Sequence, residues 1–83
     1  MVDSLIICRS LTYAQRTARA LANGGIPGHI TRAPQGAGEG CTHAVRVSEG
    51  NLGRALAVLK QAGLASRRVF LRRADGTVSE VEV

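Results

Sequence analysis

Cys41 is the side chain in this sequence whose type and setting best suit it to chemistry. It stands where a loop containing Pro34, Gly36, Gly38 and Gly40 meets Thr42 to Val47, a stretch that reads as a strand. A thiol at such a junction is accessible yet held, the setting of a nucleophile that reacts as thiolate. Cys8, the second thiol, closes the apolar run Ser4 to Cys8. It reads first as a small hydrophobe of a central strand, and second as a partner to Cys41 in a transient disulfide or sulfur relay. His43 shares Cys41's side of the strand by parity, so it is either a histidine at the core's rim or a proton partner for the thiol. The six acids are scattered and form no carboxylate pair or triad; Glu39, the one near Cys41, would raise the thiol's pKa. Independent hydrolytic chemistry is therefore not expected of these residues.

Other chemistries fit less well. His29, His43, Cys8 and Cys41 match no zinc spacing, so no metal is expected, and no cofactor is implied. Gly36, Gly38 and Gly40 precede a strand, whereas a dinucleotide-binding loop opens a helix. They read as a flexible loop that regulates access to the thiol.

The elements that must position Cys41 follow from periodicity. Ser4 to Cys8 has the pattern of a strand covered on both faces. Leu11, Ala14, Ala18, Leu21 and Ala22 fall on one face of a first helix, with Ser10 or Thr12 as N-cap and Thr12 with Gln15 as a capping box. Asn23, Gly24 and Gly25 end it, and Gly28 to Arg32 is a second strand. Ser48 caps a second helix whose apolar face is Leu52, Ala55, Leu56, Leu59 and Ala62, and Gly63 stops it. Arg67 to Arg72 is a fourth strand. Asp75-Gly76 signals a hairpin to a fifth strand, Thr77 to Val83.

An internal repeat organises these elements. Ser10 and Ser48 open the helices, and Leu21-x-x-x-Gly25-Ile26 is echoed by Leu59-x-x-x-Gly63-Leu64, always at an offset of 38 residues. Two strand–helix–strand halves give an α+β, ferredoxin-like βαββαβ sandwich with antiparallel sheet order 4-1-3-2 and an additional C-terminal hairpin strand beyond strand four. All 83 residues form one domain. One sheet edge then collects Cys8, Arg9, Ser10, Arg32, Cys41, Arg67 and Arg68. The positive end of the first helix and the guanidinium groups of Arg9, Arg32 and Arg67 would favour a thiolate there. Alternation assigns Ile6, Cys8, Ala44 and Arg46 to one sheet face and Leu5, Ile7, Val45 and Val47 to the other. A half-apolar open face of this kind suggests a homodimer.

Composition limits the partners. The chain is 45% hydrophobic with a net charge of +5, and ten of its eleven basic residues are arginine. The arginines are spread over every element, and Tyr13 and Phe70 are the only aromatics, too few for a stacking platform, so nucleic acid is disfavoured. No apolar run approaches the roughly 20 residues that span a bilayer, and no signal peptide is evident. With two cysteines and no disulfide framework, the expected location is the cytoplasm.

Arg9-Ser10-Leu11-Thr12-Tyr13-Ala14-Gln15, Gly25-Ile26-Pro27, Gly40-Cys41-Thr42-His43-Ala44-Val45-Arg46-Val47 and Ala55-Leu56-x-x-Leu59-x-x-Ala62-Gly63-Leu64 together resemble a small bacterial domain family of unknown function labelled selenium/sulfur carrier-like. The resemblance runs from Ser4 to Leu71, and the family's cysteine falls on Cys41. It implies a ferredoxin-like fold and a thiol that carries sulfur or selenium as a persulfide or perselenide, supplied by a donor protein and passed to an acceptor. His43 departs from the family's pattern, Cys8 is not part of it, and Thr77 to Val83 is an extension. The alternative function is a non-catalytic ligand-binding or protein-interaction module that self-associates through its sheet.

Overall fold

The computed structural model describes residues 2–37, 40, 42–64 and 68–81. Strand β1 is Asp3–Cys8, helix α1 Leu11–Asn23, β2 His29–Arg32, β3 His43–Ser48, helix α2 Leu52–Gln61, β4 Val69–Arg72 and β5 Val78–Val81. A short 3-10 turn, Glu49–Asn51, precedes α2. The five strands form one antiparallel sheet in the order β2-β3-β1-β4-β5, the expected order with the hairpin strand outermost.

Each helix is defined at its ends. Ser10 caps α1, its Oγ accepting the Tyr13 N–H at 3.1 Å. The cap is thus Ser10; Thr12 lies inside the helix, so a Thr12–Gln15 capping box has no place there. Ser10→Ala should lower stability by about 1 kcal/mol, read as a shift in the urea midpoint. Ser48, by contrast, makes no side-chain cap bond. It is still paired with Asp3 in the sheet, and the 3-10 turn separates it from α2.

The repeated Leu-x-x-x-Gly pattern has one structural meaning in both halves. Ile26 N–H donates to Leu21 O at 2.9 Å and Gly25 N–H to Ala22 O at 3.0 Å; Leu64 N–H donates to Leu59 O at 2.8 Å and Gly63 N–H to Lys60 O at 3.2 Å. These are two Schellman caps, with Gly25 at φ 79° and Gly63 at φ 72°. The apolar residue after each glycine folds back into the core beside the leucine it bonds.

Two apolar clusters sandwich the sheet. Ile6, Cys8, Val45, Val47 and Val69 pack against Ala14, Leu21, Ile26, Ala55, Leu59 and Leu64, so both helices cover the same face. Leu5, Ile7, Ala44 and Phe70 point the other way and are roofed by Ala37, with Ala33 alongside. This corrects the face assignment from alternation. The register pairs Ile6 with Val45 and Ile7 with Ala44, which puts Ile6, Cys8, Val45 and Val47 together. Parity within each strand is as expected, but the relative register of β1 and β3 differs by one residue, and that exchanges the faces. The second face is not open either. Leu5 is 1% exposed and Phe70 8%, because residues 33–37 fold across them. The apolar patch on which self-association was expected is closed by the protein itself.

The β4–β5 hairpin turns through Arg73–Thr77, where Gly76 has φ 89°. The Asp75 carboxylate accepts the Thr77 hydroxyl at 2.7 Å and the Thr77 N–H at 2.9 Å, and these bonds hold its pKa below the usual carboxylate value. Among the described residues no helix is long and apolar enough to cross a membrane.

Candidate functional site

The antiparallel registers bring one set of strand ends to a common edge. Arg32 pairs with His43, and His43 pairs with Cys8. The chain then passes through Arg9 and Ser10 into α1, so the N-terminus of that helix lies at the same edge. No acidic residue occupies the first turn of α1. Its partial positive charge is therefore not offset by its own first turn, and the exposed side chains of Arg9 and Arg32 add to it. An edge of this kind favours an anion.

Within this edge the side chains differ in access. Cys8 is 1% exposed. Its thiol faces α1, with Sγ 3.6 Å from Ile6 O and 3.9 Å from Thr17 Oγ1. Burial among Ile6, Ala14 and Val45 gives it the environment of a core hydrophobe. His43 is half-buried, and its Nδ1 lies 2.7 Å from the Thr42 hydroxyl, which fixes the ring's orientation. Thr42 O accepts the Ala33 N–H at 3.1 Å, closing the β2–β3 connection beyond the last ladder pair. Cys41, the residue before Thr42 in the chain, lies outside the described residues, as do Gly38, Glu39 and Arg67. The structure thus gathers Cys8, Arg9, Arg32 and His43 at one edge. Gly36 and Gly40, with φ 86° and 77°, belong to the loop that reaches it.

The first part of that loop is packed down. Ala37 is 2% exposed and rests on Leu5, Ile7 and Phe70. Ala37 N–H closes a turn onto Pro34 O at 3.2 Å. Arg68 secures the segment. Its Nη1 donates to Ala37 O, and its Nη2 lies 3.4 Å from Gly36 O. The same guanidinium grips Glu80 on β5 through two 2.9 Å hydrogen bonds and lies 5.1 Å from the centre of the Phe70 ring. These bonds hold the Glu80 carboxyl below its ordinary pKa.

Sequence reading placed Arg68 at this edge but missed that role. The available signal was parity together with the hairpin: Arg68 and Phe70 share a face, and Phe70 pairs with Glu80. A cleft of about 310 Å³ opens at the opposite sheet edge, lined by Asp3, Pro27, His29, Arg46, Val47 and Ser48. It is remote from Cys8 and His43, which sit at the other ends of β1 and β3.

No curated protein and no solved structure matches the chain. A family model described as "Putative Se/S carrier protein-like" matches residues 3–71, and with that span covered from β1 to the middle of β4 the chain belongs to this family.

Proposed function

We propose that the protein carries sulfur or selenium on Cys41. Family membership over residues 3–71 is the observation that carries this reading, and the cationic edge adjoining Thr42 supports it. The Cys41 thiolate attacks the terminal sulfur of a donor protein's persulfide, such as that of a cysteine desulfurase. The donor's S–S bond breaks, its thiolate leaves, and a Cys41 persulfide forms with no net oxidation. An acceptor enzyme then takes the outer atom by the same exchange, and a selenium atom would travel likewise. The N-terminus of α1, Arg9, Arg32 and Arg67 stabilise the thiolate, and His43 supplies or removes a proton. Cys8, buried beside Thr17, serves the core. Gly36 to Gly40 governs access. The sheet order and the placement of both helices on one face support a ferredoxin-like assignment for residues 3–72, and reversible thiol chemistry suits a reducing cytoplasm.

The test is loading. Wild-type protein incubated with a cysteine desulfurase and labelled cysteine should gain about 32 mass units, and about 80 with a selenium donor. Cys41→Ser should gain neither, while Cys8→Ala should still load. Undiminished labelling of Cys41→Ser would end the proposal.

A further inference from the structure

Arg68 makes an unusual set of contacts for a residue at a strand's start. One guanidinium binds two loop carbonyls, at Gly36 and Ala37, and both carboxylate oxygens of Glu80, and it lies over Phe70. Its side chain is 35% exposed and that of Glu80 47%. Each bond alone would be worth little at such exposure. The arrangement differs from a surface ion pair because the planar fork is satisfied on several sides at once, so its orientation is set in advance. The carbonyls it binds belong to the short segment that roofs Leu5, Ile7 and Phe70. Glu80 belongs to β5, beyond the residues matched by the family model.

We infer that Arg68 is a positioning residue for the loop leading into Cys41, and that the C-terminal strand β5 acts as its brace through Glu80. The inference deepens the carrier reading and rests on it for its functional meaning; the physical coupling of β5 to residues 33–37 stands on its own contacts. Arg68 holds the N-terminal arm of the loop at Gly36 and Ala37, and the Ala33–Thr42 bond joins the two arms at the base. The described geometry therefore restrains this arm at two places. Releasing the Arg68 contact leaves the base pairing, the Pro34–Ala37 turn and the apolar seat of Ala37 to hold residues 33–37. A strand beyond the span matched by the family model thereby tunes how Cys41 is presented.

The experiment compares full-length wild type with Arg68→Met, Arg68→Lys and Glu80→Gln. It reads hydrogen exchange by peptide and the alkylation rate of Cys41 by iodoacetamide, resolved from Cys8 by peptide mass. Arg68→Met keeps an apolar stem over Phe70 and loses every donor. It should speed exchange in residues 33–37 by about tenfold or more while the β1 and β3 core amides keep wild-type protection. Glu80→Gln, which is not expected to unfold the chain, should speed the same segment by about threefold. Arg68→Lys should fall between Arg68→Met and wild type, since one ammonium cannot reproduce the fork. Cys41 alkylation should change in the same rank order. Wild-type exchange in residues 33–37 of both Arg68→Met and Glu80→Gln would overturn the inference. So would a uniform loss of protection across the sheet, which would reduce Arg68 to general stability, and so would unaltered Cys41 alkylation. None of these readings requires sulfur loading, so failure of the carrier reading, seen as labelling of Cys41→Ser, is a separate result.

Discussion

Phe70→Ala should lower folding stability by about 3 kcal/mol, the largest effect expected from any single truncation on the loop-covered side of the sheet. Phe70 is 8% exposed, and it is packed with Leu5, Ile7, Ala44 and Ala37. Removing the ring deletes the largest apolar side chain beneath the loop and leaves a cavity that the small neighbours Ala37 and Ala44 cannot fill. It also removes the aromatic face under the Arg68 guanidinium. A domain of this size has a total stability on the order of 4–12 kcal/mol, so such a loss consumes a large part of it. Urea unfolding checks the magnitude, and Phe70→Leu, which conserves most of the volume, should cost about 1 kcal/mol. A Phe70→Ala loss below about 1 kcal/mol would mean that the loop does not pack on this face as described.

Gly28→Val should be nearly as damaging, for a different reason. Gly28 sits where the chain enters β2 and passes against the helix-side core. A Cβ built there would lie 2.9 Å from Val45 Cγ1, 3.3 Å from Leu21 Cδ1 and 3.7 Å from Val47 Cγ1. Leu21 and Val45 are fully buried, so neither can move away without disturbing the packing of α1 on β3. Overpacking by one methyl, in Gly28→Ala, should cost about 1–3 kcal/mol, and the branched side chain of valine more. Gly50 supplies the control. Its added Cβ would meet nothing within 4 Å, so Gly50→Ala should leave the urea midpoint almost unchanged. Combining Gly28→Ala with Val45→Ala should cost less than the sum of the two separate losses, since the second change removes the atom that the first one strikes. Strict additivity of the two would contradict the predicted contact.

The two cases show what a one-dimensional pattern could and could not carry. The Schellman caps at Gly25 and Gly63 were legible because every participant lies within six residues; each glycine's left-handed backbone and the leucine before it form a local unit. The helix faces were legible in their centres, where Ala14, Leu21, Ala55 and Leu59 are buried as expected, whereas Leu11, Ala22 and Ala62 are exposed at the helix ends and Thr17 is buried instead. Sheet order followed from the repeat, because two strand–helix–strand units with right-handed crossovers leave few alternatives. The gathering of Cys8, Arg9 and Arg32 at one edge then followed from strand direction alone.

Register was not legible. Alternation states which residues of one strand share a face, but nothing in β1 or β3 separately says whether Ile6 meets Ala44 or Val45. The roof over Leu5 and Phe70 was not legible either, since a segment with Pro34 and Gly36 reads as an unconstrained loop until Arg68, 31 residues from Ala37, is seen to bind it. The requirement for glycine at position 28 is likewise invisible locally, because the obstruction comes from Val45 and Leu21 and not from its own backbone.

By itself, then, the sequence determined the elements, which depend on contacts within a turn or two of the chain, and through the repeat and the handedness of its crossovers it determined their order in the sheet and the edge shared by Cys8, Arg9 and Arg32. The tertiary structure decided which sheet face each core residue covers, that the second face is closed, and that β5 reaches the loop through Arg68. Those depend on pairings between distant segments, whose energies exist only once the segments have met.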